Sequence, residues 1–253
     1  MATSLTENHT IVHCTFVELS YQVLFVIMSR MRRIGIFNEA MIGALESTGI
    51  LPVVSIPTLE SAVPLARALV EGGARALEVT LRTPCALEGV RSIRAAFPDL
   101  FVGVGTVLEE EQARAARDAG ARFLVAPGLD LDIVRVAEEL DLPFVPGVTN
   151  PTDITRAVKL GVTTLKFFPA EISGGVAALT LYHGPFPDVR FIPTGGMTRE
   201  NIGSYLRKTF VLACGGSYMA PSKEVRAGDW TAITENCRAC VAVAQAARRE
   251  EWT

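Results

Sequence analysis

The sequence predicts an α/β fold, a (β/α)8 TIM barrel in a single domain that follows an N-terminal leader. Three observations point there. Eight short, β-rich apolar runs recur along the chain. They end at residues 55, 80, 105, 126, 147, 168, 194 and 215, a spacing of 21–26 residues that suits one strand, one loop and one helix. The first run ends Ser55-Ile56-Pro57, without the Gly-rich turn that opens a doubly wound sheet. The length of 253 residues also fits a barrel, which typically uses about 250.

The elements follow in order. Residues 1–33 form the expected leader, a start-site artefact or a loosely ordered segment, with Met28 and Met31 as further candidate starts. They contain no Gly or Pro and include the basic cluster Arg30, Arg32 and Arg33. No positive region precedes the apolar stretch Val23–Met28, so it does not read as a secretory signal. The barrel is assigned to residues 34–253, with a helix near Asn38–Ser47 plugging its amino-terminal mouth. The eight runs are Leu51–Ser55, Ala76–Thr80, Phe101–Gly105, Phe123–Ala126, Phe144–Gly147, Thr164–Phe168, Arg190–Thr194 and Val211–Gly215. They are apolar almost throughout, as strands covered on both faces should be.

The segments between them have helical periodicity. Ala62, Leu65, Ala66, Leu69 and Val70 share one apolar face, and Gly72-Gly73 stops that helix. Glu109–Ala119 ends at Gly120, and Pro151–Leu160 ends at Gly161, with Pro151 suited to a first helical turn. A last helix runs from Thr231 to about Arg248.

Composition narrows the function. Apolar residues make up 49% and charged residues 20%, enough for a large core. Lys plus Arg (24) nearly balances Asp plus Glu (27), so there is no basic footprint for nucleic acid or an anionic membrane. No unbroken apolar run exceeds six residues, far short of a membrane span. Five scattered cysteines suit a reduced, cytoplasmic setting better than a disulfide framework. Only four of the basic residues are Lys: Lys159, Lys166, Lys208 and Lys223.

A barrel carries its chemistry at the carboxyl ends of its strands. In the second run Glu78 interrupts apolar sequence and Arg82 lies just beyond. Residues 78, 80 and 82 share a face if the strand stays extended. In the sixth run Lys166 sits between Leu165 and Phe167-Phe168. Burial penalises an ammonium, and a neutral amine can attack a carbonyl to form a Schiff base. The seventh and eighth runs end in Thr194-Gly195-Gly196 and Gly215-Gly216-Ser217, where barrels commonly bind phosphate through backbone N–H groups. The third run ends Gly103-Val104-Gly105-Thr106, which places a hydroxyl at the rim. Cys237-x-x-Cys240 lies in an Ala-rich helix without a second pair, and His183 stands alone, so neither reads as a metal site.

The segments Glu78-Val79-Thr80-Leu81-Arg82-Thr83, Gly103-Val104-Gly105-Thr106-Val107, Lys166-Phe167-Phe168-Pro169-Ala170-Glu171, Pro193-Thr194-Gly195-Gly196 and Gly215-Gly216-Ser217 occur in this order. From about Gly49 to Val243 the chain strongly resembles the KDPG/KHG aldolase family. These class I pyruvate aldolases cleave 2-keto-3-deoxy-6-phosphogluconate (KDPG) or 4-hydroxy-2-oxoglutarate (KHG). The resemblance implies a Schiff-base role for Lys166 and a general acid/base role for Glu78. It implies that Arg82 and Thr106 bind the pyruvate carboxylate and that Pro127 and Phe168 wall the pocket. Phosphate would be held by Thr194, Gly195, Gly196, Gly216 and Ser217. It further implies a homotrimer, a small keto-acid substrate, no metal and no other cofactor. Tyr218 departs from the family, which usually has Trp there, and residues 1–33 have no counterpart in it.

Two other classes compete with this reading. One is another phosphate-binding barrel enzyme, a sugar-phosphate isomerase or a thiamine-phosphate synthase-like protein. It would share the Gly-Gly turns but does not need a lysine between Leu and Phe. The other is a non-catalytic barrel used for binding, against which the intact Lys166, Glu78 and Arg82 set argues.

Overall fold

The structure is a computed structural model that describes residues 39–249. The expected leader, residues 1–33, lies outside the described residues. The described residues form an α/β fold whose paired strands run parallel and alternate with helices.

α1 (Glu39–Thr48) leads into β1 (Ile50–Val54), α2 (Leu59–Glu71), β2 (Ala76–Thr80), α3 (Ala86–Ala96) and β3 (Phe101–Gly105). α4 (Glu110–Asp118), β4 (Phe123–Val125), α5 (Leu131–Glu139), β5 (Phe144–Val145), β6 (Gly147–Val148) and α6 (Pro151–Lys159) follow. β7 (Thr164–Phe167), α7 (Gly175–His183), β8 (Arg190–Pro193), α8 (Ile202–Leu206), β9 (Cys214–Gly216), α9 (Ser222–Ala227) and α10 (Trp230–Arg249) complete the order. One sheet has the order β5-β4-β3-β2-β1-β9 and another β6-β7-β8. Isolated bridges pair Phe191 of β8 with Val211, and Thr194 with Gly215 of β9.

Local chemistry explains the boundaries. The fifth expected strand is split into β5 and β6 at Pro146, whose nitrogen cannot donate to a ladder. The eighth expected strand, Val211–Gly215, contracts to β9, leaving Val211 only its bridge to Phe191. Helices stop where expected, because Gly73, Gly120 and Gly161 take φ of +101°, +87° and +78°. α6 begins with Asn150, whose side chain accepts from Asp153 N, and with Pro151 in its first turn.

Two apolar clusters hold these layers together. The larger packs helices such as α2 and α10 against the outer face of the strands. The smaller joins Met41 and Leu45 of α1 to Leu51, Ala76, Phe123, Val125, Val145 and Ile192. It takes a residue from strand after strand, so α1 closes the inner face near the strands' amino ends. That leaves the opposite, carboxyl ends free for polar groups.

Close packing on the inner face sets one testable limit. A Cβ on Gly103 would fall 2.2 Å from the ring of Phe123, its partner across β3 and β4. Gly103→Ala should therefore cost about 1–3 kcal/mol of stability, read by urea unfolding. An unchanged unfolding midpoint would show that the ring moves aside freely.

Candidate functional site

Glu78 and Lys166 lie 88 residues apart and meet inside the molecule. Each sits in the middle of a short apolar strand, β2 and β7, which the core clamps from outside. Lys166 Nζ donates to Glu78 Oε1 at 3.3 Å. Glu78 is 1% exposed and Lys166 7%. The ammonium also stands 5.3 Å from the centre of the Phe168 ring, within cation–π range. Water is almost excluded here, so each charge depends on the other.

Glycines make the space. A Cβ on Gly105 would fall 2.0 Å from Glu78 Oε1, so that carboxylate fits only because β3 ends without a side chain. Gly147 pairs with Lys166 in the ladder, and a Cβ there would fall 1.9 Å from the carbonyl oxygen of Pro127. In sequence Gly105 belongs to an uninformative Gly-x-Gly. The signal was available in the ends of the second and third runs, since Thr80 and Gly105 are ladder partners.

The other expected residues lie at or just past the carboxyl ends of their strands. Thr106 follows β3 with φ of +62°, a conformation that costs a β-branched residue about 1–3 kcal/mol. Pro127, Phe168 and Thr149 line a cavity of about 190 Å³ beside Gly147. The peptide bond between Phe168 and Pro169 is cis. Thr194 is buried, and its Oγ1 lies where a Cβ on Gly215 would need to be, at 2.4 Å. Gly195 and Gly196 take φ of +95° and +81°, a turn open mainly to glycine. Gly216 ends β9 over the ring of Tyr218, and Ser217 is exposed beside it. Burial pushes the Tyr218 phenol well above its usual range.

One expectation is corrected. Arg82 does not continue the inner face of residues 78 and 80. β2 stops at Thr80, Arg82 N turns back to donate to Thr80 O at 2.8 Å, and the side chain is exposed. The side chain that meets Glu78 is Lys166, and Arg82 stands exposed just past the end of β2. A contact missed in sequence is the hydroxyl pair of Ser55 and Thr80, 2.7 Å apart at the ends of β1 and β2.

The weak motifs stay inert. Cys237 and Cys240 lie buried in α10, and burial pushes their thiols to about 12 and about 11, so they remain protonated. His183 stacks on Phe210 with ring centres 4.1 Å apart. The other lysines, Lys159, Lys208 and Lys223, are exposed or half-buried. Among the described residues no helix is long and apolar enough to cross a membrane.

Parallel strands that aim one buried lysine at one buried carboxylate define an α/β enzyme suited to amine chemistry. The profile of the KDPG and KHG aldolase family matches residues 41–236. The 2-dehydro-3-deoxy-phosphogluconate aldolase of Treponema pallidum is 44% identical over 191 residues, covering 76% of this chain and 91% of that protein. The KHG/KDPG aldolase of Escherichia coli is 43% identical over 192 residues, covering 76% and 90%. The Legionella pneumophila KDPG aldolase structure, with pyruvate captured as a covalent carbinolamine, superposes with a TM-score of 0.76. It is 36% identical and covers 80% of this chain and 98% of that one. The chain belongs to the KDPG and KHG aldolase family, whose members are carbon–carbon lyases.

The pair has a measurable signature of its own. Lys166→Met leaves Glu78 buried without a counter-charge and should destabilise the fold by about 3–5 kcal/mol at neutral pH. Lys166→Met combined with Glu78→Gln should recover most of that loss. Denaturant unfolding of the wild type, both single variants and the double variant checks this, and additive losses would show that the two groups do not interact.

Proposed function

We propose that this chain is a class I aldolase that works through a Schiff base on Lys166. Its substrates are KDPG, cleaved to pyruvate and glyceraldehyde 3-phosphate, and/or 4-hydroxy-2-oxoglutarate, cleaved to pyruvate and glyoxylate. The observation that carries the reading is the buried Lys166–Glu78 pair, 3.3 Å apart. Aldolases named for both substrates stand at 43–44% identity.

In this mechanism the Lys166 amine adds to the substrate's C2 ketone. The carbinolamine loses water to give an iminium, a sink for electrons. Glu78 takes the C4 hydroxyl proton, through a water, as the C3–C4 bond breaks. The bonding electrons move into the iminium and leave an enamine while the aldehyde departs. Protonation at C3 and hydrolysis release pyruvate and restore the amine. Arg82 and Thr106 hold the carboxylate, a role for which a guanidinium's paired donors are well shaped. Pro127 and Phe168 wall the methyl end. Thr194, whose N–H donates to Phe167 O at 2.9 Å, anchors the phosphate turn, and the backbone N–H groups of Gly195, Gly196 and Gly216, with the Ser217 hydroxyl, receive the phosphate.

The proposal extends to architecture. Residues 34–253 form one domain whose eight strand–helix units close into a barrel. The bridges between β8 and β9 support closure, as does the continuation of β5 into β6 across Pro146. Family resemblance supports a homotrimer working in the cytoplasm without a cofactor.

Treatment with pyruvate and borohydride, followed by digestion, should place the added mass on Lys166. Label on Lys159, Lys208 or Lys223 would overturn the assignment. Glu78→Gln should lower kcat by about 10²–10⁴-fold, the usual cost of losing a general acid/base, and Glu171→Gln much less. The reverse order would exchange their roles.

The phosphate assignment has a separate test. A hydrogen bond to a charged group contributes about 1.5–3 kcal/mol, so Ser217→Ala should lower kcat/KM for KDPG about 10- to 150-fold. The effect on 4-hydroxy-2-oxoglutarate, which has no phosphate, should be far smaller. Equal losses on both substrates would mean that this turn serves only the architecture.

A further inference from the structure

The segment after β7 is tied to the turn after β8 by groups that take no part in the chemistry above. Ala170 N donates to Thr194 O at 2.8 Å, and Glu171 N donates to Gly195 O at 3.1 Å. The Glu171 side chain then lies directly on Gly196, whose Cβ would fall 2.6 Å from Glu171 Cβ and Cγ. The Glu171 carboxylate is exposed to water, yet it is held in place, because it accepts the hydroxyl of Tyr205. Tyr205 belongs to α8, is 1% exposed and cannot swing away. Gly175 leaves room for this contact, since a Cβ there would fall 3.1 Å from the Tyr205 oxygen. Burial pushes the Tyr205 phenol well above its usual range and Glu171 adds to the shift, so the hydroxyl remains a donor. From the other side Asn201, next to α8, donates to Gly196 O at 3.0 Å.

We infer that Tyr205 and Glu171 are positioning residues: they fix the Gly195–Gly196 turn and thereby set affinity for the phosphorylated substrate. The inference rests on the reading of that turn as a phosphate site. A site made of backbone N–H groups has no side chain to re-aim, so its neighbours determine where its donors point. The neighbour here is a carboxylate, and a carboxylate free to move beside the turn would also repel a phosphate. The Tyr205 hydroxyl removes that freedom. The Lys166–Glu78 pair depends on neither residue.

Steady-state kinetics on KDPG and on 4-hydroxy-2-oxoglutarate, with thermal unfolding run in parallel, test this. Tyr205→Phe should raise KM for KDPG about 10-fold, as expected for loss of one hydrogen bond to a charged group, and leave kcat close to wild type. KM for 4-hydroxy-2-oxoglutarate should not change. Glu171→Ala should act like Tyr205→Phe, whereas Glu171→Gln, which keeps an acceptor for the hydroxyl, should retain most of the affinity. Equal changes on both substrates, or a fall in kcat that tracks lost thermal stability, would overturn the inference by showing a merely structural role. If Ser217→Ala discriminates between the substrates and Tyr205→Phe does not, only this inference falls. If neither variant discriminates, the phosphate reading falls with it.

Discussion

The site depends on one constraint: a lysine and a glutamate must share a space from which water is nearly excluded. Neither charge is tolerable there alone. Their strands are brought together by ladders that run from β2 through β1, β9 and β8 to β7, with the β8–β9 step carried by isolated bridges. The space itself is made by omission. Gly105 gives up its side chain to Glu78, and Gly147 gives up its own where the chain leaves β4. Strands covered on both faces would otherwise fill this volume with Val, Ile or Leu.

Depth separates the chemistry from recognition. Lys166 and Glu78 lie low on the inner face, while Arg82 and Ser217 are exposed at the ends of their strands. In the mechanism proposed above, an incoming carboxylate meets charge at the rim before its ketone reaches the amine, and at the other edge the phosphate meets backbone held by glycine geometry. Gly195 and Gly196 adopt φ values that an L side chain resists, and no cation is needed to shape the turn.

Much of this was legible in sequence, and the reasons are specific. Eight evenly spaced runs gave the strand–helix alternation because burial on both faces forces continuous apolar sequence. Lys166 and Glu78 stood out because a charge inside such a run has to be explained. Gly72-Gly73, Gly120 and Gly161 marked helix ends because only glycine reaches positive φ without cost. What stayed hidden depended on neighbours in space. Arg82 seemed to continue the face of Glu78, since periodicity cannot show that β2 stops at Thr80. Pro146 divided a strand that read as one. Tyr205 carries no signal of its own, because the sequence does not place its hydroxyl against Glu171, 34 residues away.

The scarcity of lysine links composition to mechanism. With 20 arginines and four lysines, the chain meets its surface needs for positive charge almost entirely with Arg. The described surface ion pairs accordingly use Arg91, Arg114, Arg135, Arg190 and Arg199, while the ion-paired lysine is the buried one. A guanidinium serves well on a surface, where planar donors and a permanent charge are assets. It cannot serve at position 166, because it does not lose its proton at neutral pH and so cannot attack a ketone. In the mechanism proposed above, one nitrogen has to lose a proton, attack the ketone and end as part of a cationic iminium, and a lysine with the Glu78 carboxylate 3.3 Å away can do all three.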